Sequence, residues 1–220
     1  MKLTVFNGSP RGTRSNTKIL LNNFLEGFSE SQDNEFDIHY LNRVDDQDKF
    51  KQAFSEASHV LLAFPLYTDA MPGIVKCFIE SLSAFRGNAS NPSLGFIVQS
   101  GFPEAAHSRR IEKYNCKLAQ RLGCVYLGTV IKGGAEGIQV QPPKWTAKLF
   151  ANFKALGQIF GQTGKLDGHL MAQLATPEHF RLTTRMLYRV LKLVGLTDFY
   201  WNSQLKKNDV FEQRFAMPYS

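Results

Sequence analysis

The sequence predicts an α/β fold, a doubly wound parallel sheet of five strands followed by a helical C-terminal extension. Short apolar runs at 3–6, 59–64, 94–99 and 124–131 alternate with segments of helical periodicity, the pattern of repeated strand–helix units. The run at 59–64 is apolar throughout, as in a strand covered on both faces. Loops rich in Gly, Pro and Ser follow the first, third and fourth strands and lead into helices.

Each element has its own signal. The first strand, 3–6, precedes a helix over about 15–30 in which Ile19, Leu20, Leu21, Phe24 and Leu25 recur at helical spacing. Residues 35–41 alternate as a half-exposed strand does, which suits a sheet edge. Asp45, Asp46 and Asp48 then open a helix to about 57, gathering where the dipole favours negative charge. After the third strand, Pro65, Pro72 and Gly73 interrupt regular structure. The next helix, 74–85, turns Val75, Phe78, Ile79 and Leu82 inward, and Lys76 and Glu80 are spaced to pair across a turn. A polar turn at 88–92, the fourth strand at 94–99, a helix over 105–122 and the fifth strand at 124–131 complete the unit. Lys132 to Gly137 is a glycine-rich exit that either approaches a ligand or merely punctuates the chain.

Gln141-Pro-Pro143 marks a boundary between a domain at 1–140 and a segment at 141–220. That segment is expected to pack on the same domain or at a dimer interface. It has helical periodicity at 145–160 and 180–196, and in the second stretch Arg181, Arg185 and Arg189 form one row opposite apolar residues. The ordinary reading is a helix docked on its own domain with its arginines in water; the row also resembles a membrane-surface or phosphate-binding helix. Aromatic residues at 199–201, 211 and 215 suit a subunit interface.

Composition narrows the classes. The chain has 220 residues, 43% apolar and 20% charged, ordinary values for a soluble globular protein. No apolar run has the length of a membrane span and no signal-peptide pattern is present, so the expectation is cytoplasmic. Cys77, Cys116 and Cys124 are isolated, which excludes a disulfide framework or a zinc or iron–sulfur motif and leaves them as small buried apolar residues. The net charge of +7 is uneven: 1–139 holds 15 Lys+Arg and 14 Asp+Glu, and 140–220 holds 11 and 5. No basic-plus-aromatic signature of a nucleic-acid module accompanies the basic tail.

The stretch 7–17, Asn-Gly-Ser-Pro-Arg-Gly-Thr-Arg-Ser-Asn-Thr, joins the first strand to the first helix. Hydroxyls, two arginines and a helix N-terminus suit it to hold a phosphate, whereas a plain βα turn needs one capping hydroxyl and no paired arginines. Gly8 and Gly12 enclose only three residues and no lysine follows, so it is not a P-loop; G-x-G-x-x-G is absent, and Cys116 and Arg121 miss the spacing of small tyrosine phosphatases.

This Gly-Ser-Pro-Arg and Ser-Asn-Thr arrangement resembles the flavodoxin-like NADPH-dependent FMN reductases. The resemblance extends to Pro65-Leu66-Tyr67 with Met71, to Lys76-Cys-Phe-Ile-Glu80 and to Ser100-Gly-Phe-Pro-Glu104. It implies a flavodoxin-like sheet in the order 2-1-3-4-5 with the ligand at the carboxyl ends of the strands. It further implies FMN as cofactor, its phosphate on Ser9, Arg11, Ser15, Asn16 and Thr17, its ring beside Pro65, Leu66, Tyr67 and Met71, and backbone N–H groups of Ser100, Gly101, Phe102 and Glu104 against the isoalloxazine. NADPH or NADH would be the co-substrate and a quinone, free flavin, nitro- or azo-aromatic the acceptor. Such proteins are often homodimers, and no protein acid or base is required. The alternative is a flavodoxin-type electron carrier, which the basic charge and long tail oppose; a flavin-fold interaction protein without FMN ranks last. Neither a nucleic acid, a membrane span nor a metal is expected. The resemblance stops at about residue 140.

Overall fold

The computed structural model describes residues 1–31, 33–88, 90–193 and 198–217. In chain order the longer elements are β1 (Lys2–Asn7), α1 (Asn16–Phe28), β2 (Glu35–Tyr40), α2 (Gln47–Ser55), β3 (His59–Pro65), α3 (Gly73–Ser81), β4 (Ser93–Gln99), α4 (Arg109–Leu122), β5 (Tyr126–Lys132), α5 (Pro143–Thr163), α6 (Gly168–Leu174), α7 (Leu182–Leu193) and α8 (Phe199–Lys207). The strands form one sheet in the order β2-β1-β3-β4-β5, every pair parallel. The predicted topology is therefore the observed one, with β2 on an edge.

The period of two along each strand divides the core between the two faces of the sheet. Phe6 on β1, Val60, Leu62 and Phe64 on β3, and Leu94, Phe96 and Val98 on β4 pack with α2, α3 and α4. Leu3, Val5, Leu61, Ala63, Ile97 and Val130 face the other way, onto α1 and α5. The three inner strands, β1, β3 and β4, are buried on both faces, which is why their sequences read as near-continuous apolar runs.

Helices α1 and α5 lie backbone against backbone. A Cβ on Gly157 would sit 1.8 Å from the Phe24 carbonyl oxygen, and one on Gly27 1.9 Å from that of Lys154. Glycine is what lets the helices meet so closely. Phe24 and Phe28 pack on Phe160, and the Lys154 ammonium bridges Glu26 and Glu30 at 2.6 and 2.9 Å. The chain forms two compact units, Met1–His179 and Phe180–Ser220. The first continues past the proline boundary at 141–143 because α5 covers α1.

Several local features depart from expectation. Helix α6 has no strong periodicity in its short sequence; Asp167 caps it by accepting the Leu170 N–H at 2.8 Å, and Leu174 is buried. Strand β5 starts at Tyr126, not 124, and Val125 is exposed. Only Cys124 is buried, where burial pushes its thiol up to about 11. Cys116 is half-buried, and Cys77 is exposed because α3 turns Val75 and Phe78 inward and leaves position 77 outside. Cys77 is thus not the buried residue the sequence suggested.

The second unit contains α7, α8 and a short turn at Phe211–Gln213. The Arg214 guanidinium lies 4.0 Å from the Phe211 ring centroid and 4.9 Å from that of Phe215, near enough for cation–π attraction. The periodic stretch read at 180–196 is helical to Leu193, and 194–196 lie outside the described residues. Leu182, Met186, Leu187, Val190 and Leu193 of this helix are exposed. Among the described residues, no helix is long and apolar enough to cross a membrane.

Candidate functional site

The loops after β1, β3 and β4 converge at the carboxyl ends of the strands, where an order of 2-1-3-4-5 reverses direction between β1 and β3. Ser9, Arg11, Ser15, Asn16, Pro65, Leu66, Tyr67, Gln99, Gly101 and Glu136 line a cavity of about 140 Å³ there. A pocket that engulfs a small ligand has roughly 300 Å³ or more. This one is smaller.

The first loop is held from within. Ser9 N–H donates to Asn7 Oδ1 at 3.0 Å, and Gly8 N–H donates to the Ala63 carbonyl of β3 at 2.7 Å. A Cβ on Gly8 would fall 2.3 Å from Val75 Cγ2, so the backbone passes too close to α3 for any other residue. Ser15 caps α1: its hydroxyl accepts the Lys18 N–H at 3.1 Å and donates to the Gly12 carbonyl at 2.7 Å. The hydroxyl is committed to the helix, but the cap orders the first turn. Two N–H groups of that turn, on Asn16 and Thr17, have no acceptor within the helix. The positive end of the dipole and the exposed Arg11 guanidinium lie at the same corner, chemistry suited to an anion.

Asn16 has a second part. Its Nδ2 donates to the Ala135 carbonyl at 2.8 Å, which ties α1 to the glycine-rich exit of β5, while its Oδ1 is buried with no hydrogen-bond partner. A buried acceptor left open costs about 1–3 kcal/mol, and a ligand hydroxyl or N–H at this place would satisfy it. Anion donors beside an open acceptor match a phosphate on a hydroxylated chain. FMN's phosphate and ribityl tail have that chemistry.

The second loop forms a tight hairpin. Tyr67 N–H donates to the Ala70 carbonyl at 3.0 Å and Ala70 N–H returns to Tyr67 at 3.2 Å, with Thr68 between them at φ +56°. A β-branched residue in the left-handed region is strained by about 1–3 kcal/mol. The two hydrogen bonds hold it there and present Tyr67, 51% exposed, at the cavity mouth.

Not every residue singled out from the sequence reaches the cavity. Thr17 is fully buried below it, accepting from Gln99 Nε2 at 3.4 Å. Met71 packs into the core beside α3. Ser100 latches the third loop: its hydroxyl donates to the Phe102 carbonyl at 3.1 Å, its N–H to Lys132 at 3.0 Å, and its carbonyl accepts from Ala135 at 2.8 Å. The Phe102 ring lies tilted against His107 with centroids 4.9 Å apart, and Glu104 turns to His107 and His179 at 3.7 and 3.9 Å. Conversely, Gln99 and Glu136 line the cavity without having been selected. Gln99 is the polar end of an apolar strand, a visible signal; Glu136 arrives through the glycine-rich exit, whose two readings the sequence left open.

A family model described as the flavodoxin-like fold matches residues 1–144. No curated protein matches the chain. Among solved structures, an FMN-dependent NADH-azoreductase from Bacillus anthracis in complex with FMN superposes with a TM-score of 0.56 at 14% identity, covering 73% of this chain and 100% of that one. An NAD(P)H:quinone oxidoreductase from Methanothermobacter marburgensis gives 0.53 at 14% identity, with 72% and 98% covered. The Trp repressor binding protein of Bacillus subtilis gives 0.53 at 22% identity, with 70% and 96% covered. With five parallel strands in the order 2-1-3-4-5 and a family match over most of its length, the chain belongs to the flavodoxin-like fold family.

Proposed function

We propose that the protein is an FMN-binding NAD(P)H-dependent oxidoreductase that reduces a small acceptor such as a quinone, a free flavin or a nitro- or azo-aromatic. The observation that carries this reading is the open buried acceptor of Asn16 beside the anion-binding start of α1. The FMN-dependent and NAD(P)H-dependent enzymes among its structural neighbours support it. When bound, FMN supplies hydride transfer between a nicotinamide and the acceptor. The protein's part is positional. Arg11, Ser9 and the N–H of Asn16 would hold the phosphate, with Thr17 supporting the turn from below, and Asn16 Oδ1 would take a ribityl hydroxyl. Pro65, Leu66 and Tyr67 form an apolar and aromatic wall, with Gly101 allowing a ring to approach the backbone opposite. The three cysteines are free thiols, in keeping with a reducing cytoplasm.

The test is a visible spectrum of the protein loaded with FMN, followed by anaerobic mixing with NADH and NADPH. Bound flavin that bleaches rapidly is the expected result; bound flavin that neither nucleotide bleaches marks an electron carrier. Arg11→Ala with Ser9→Ala should weaken FMN binding at least tenfold, about 1.4 kcal/mol. Undiminished binding by that variant, or none by the unaltered protein, overturns the assignment.

A further inference from the structure

Helix α7 presents two chemically distinct arcs. Leu182, Met186, Leu187, Val190 and Leu193 are 77%, 66%, 57%, 57% and 86% exposed. At about 100° per residue they share an arc of about 140°. Arg185, Arg189 and Lys192 occupy an adjoining arc of about 60°, and Arg181 stands just before the first turn. No acidic residue lies in 180–193. A helix of this pattern ordinarily turns its stripe into a core; here the stripe is open. Trp201, Phe215 and Met217 of the same unit are 59%, 81% and 76% exposed as well.

Charge says what would cover the stripe. Residues 180–220 hold seven Lys+Arg and three Asp+Glu, a net +4 within a chain of +7. A second copy of the chain would bring another basic arc against this one. An anionic bilayer brings opposite charge to the arginines and hydrocarbon to the leucines at the same depth. We propose that α7 docks the protein on an anionic lipid surface, lying in the plane of the headgroups. The inference goes beyond the flavin reading and does not depend on it. Where both hold, acceptors dissolved in the bilayer come within the protein's reach.

Sedimentation of the full chain with phosphatidylcholine vesicles, with and without phosphatidylglycerol, tests it. At least tenfold more protein should pellet with the anionic vesicles, falling severalfold as salt shortens the Debye length. Met186→Glu with Val190→Glu, on an exposed face, should abolish the pelleting with an unchanged circular dichroism spectrum. Arg181→Gln with Arg189→Gln should reduce it about tenfold. Equal binding to both vesicle types, or pelleting that survives the glutamates, overturns the proposal. So does a dimer, measured by light scattering, that the glutamate pair dissociates without any vesicle binding, since a second copy would then be the occupant. Absent vesicle binding in protein whose flavin still bleaches refutes the docking alone.

Discussion

The two units of the chain solve burial in opposite ways. In Met1–His179 each apolar run finds a partner: two clusters on the two faces of one sheet enclose side chains such as Phe6, Phe24, Phe96 and Phe160 completely. In Phe180–Ser220, Leu182, Met186, Leu187, Val190 and Leu193 share one arc of α7 and lie in the open. Amphipathic periodicity in a sequence therefore shows that a face must be covered, and by itself does not say by what.

The contrast breaks most sharply on a matched pair. Val130 lies fully buried on β5 and Val190 is 57% exposed on α7. Val130→Asp should unfold the first unit, costing more than about 4 kcal/mol because an unpaired carboxylate enters the core, while Val190→Asp should stay within about 0.5 kcal/mol. Urea denaturation followed by circular dichroism reads both, and equal costs would erase the distinction. Next comes the α1–α5 contact. Gly157→Ala places a methyl group on the Phe24 carbonyl oxygen and should cost about 1–3 kcal/mol, whereas Thr183→Ala on the exposed surface of α7 should leave the transition in place.

The smallest effect is electrostatic. His39 stacks on Phe6 with centroids 5.3 Å apart, and burial pushes its pKa below the ordinary 6.5. His59 is lowered for the same reason. The folded state resists a proton that the unfolded chain accepts, so this contribution is present above pH 6.5 and is lost as pH falls from there toward the depressed folded values. The urea midpoint should decline over that interval, and His39→Gln should flatten part of the decline. No histidine lies in 180–220, so vesicle binding should not share the slope.

Much of this was legible in the sequence because parallel strands buried on both faces leave unbroken apolar runs, and β1, β3 and β4 are such strands. The three converging loops were legible because each follows one of them. What escaped depends on tertiary hydrogen bonding. Nothing local says that Ser100 bends back to the Phe102 carbonyl, sending Phe102 and Glu104 toward His107, or that the exit of β5 carries Glu136 into the cavity. Thr17 and Asn16 are adjacent, yet the step of about 100° between them on α1 puts the first beneath the site and the second in its wall. Helix α6 escaped because its short apolar stretch takes direction from the Asp167 cap and from packing beside β5.

The α1–α5 contact also has a bearing on how the chain is made. Helix α1 ends at Phe28, and its covering partner begins at Pro143. At about 5–20 residues per second, a ribosome needs on the order of ten seconds to bridge that interval. Throughout it Leu20, Leu21, Phe24 and Phe28 lack the helix that will shield them, and the nascent chain offers a chaperone an apolar target that the finished protein no longer shows.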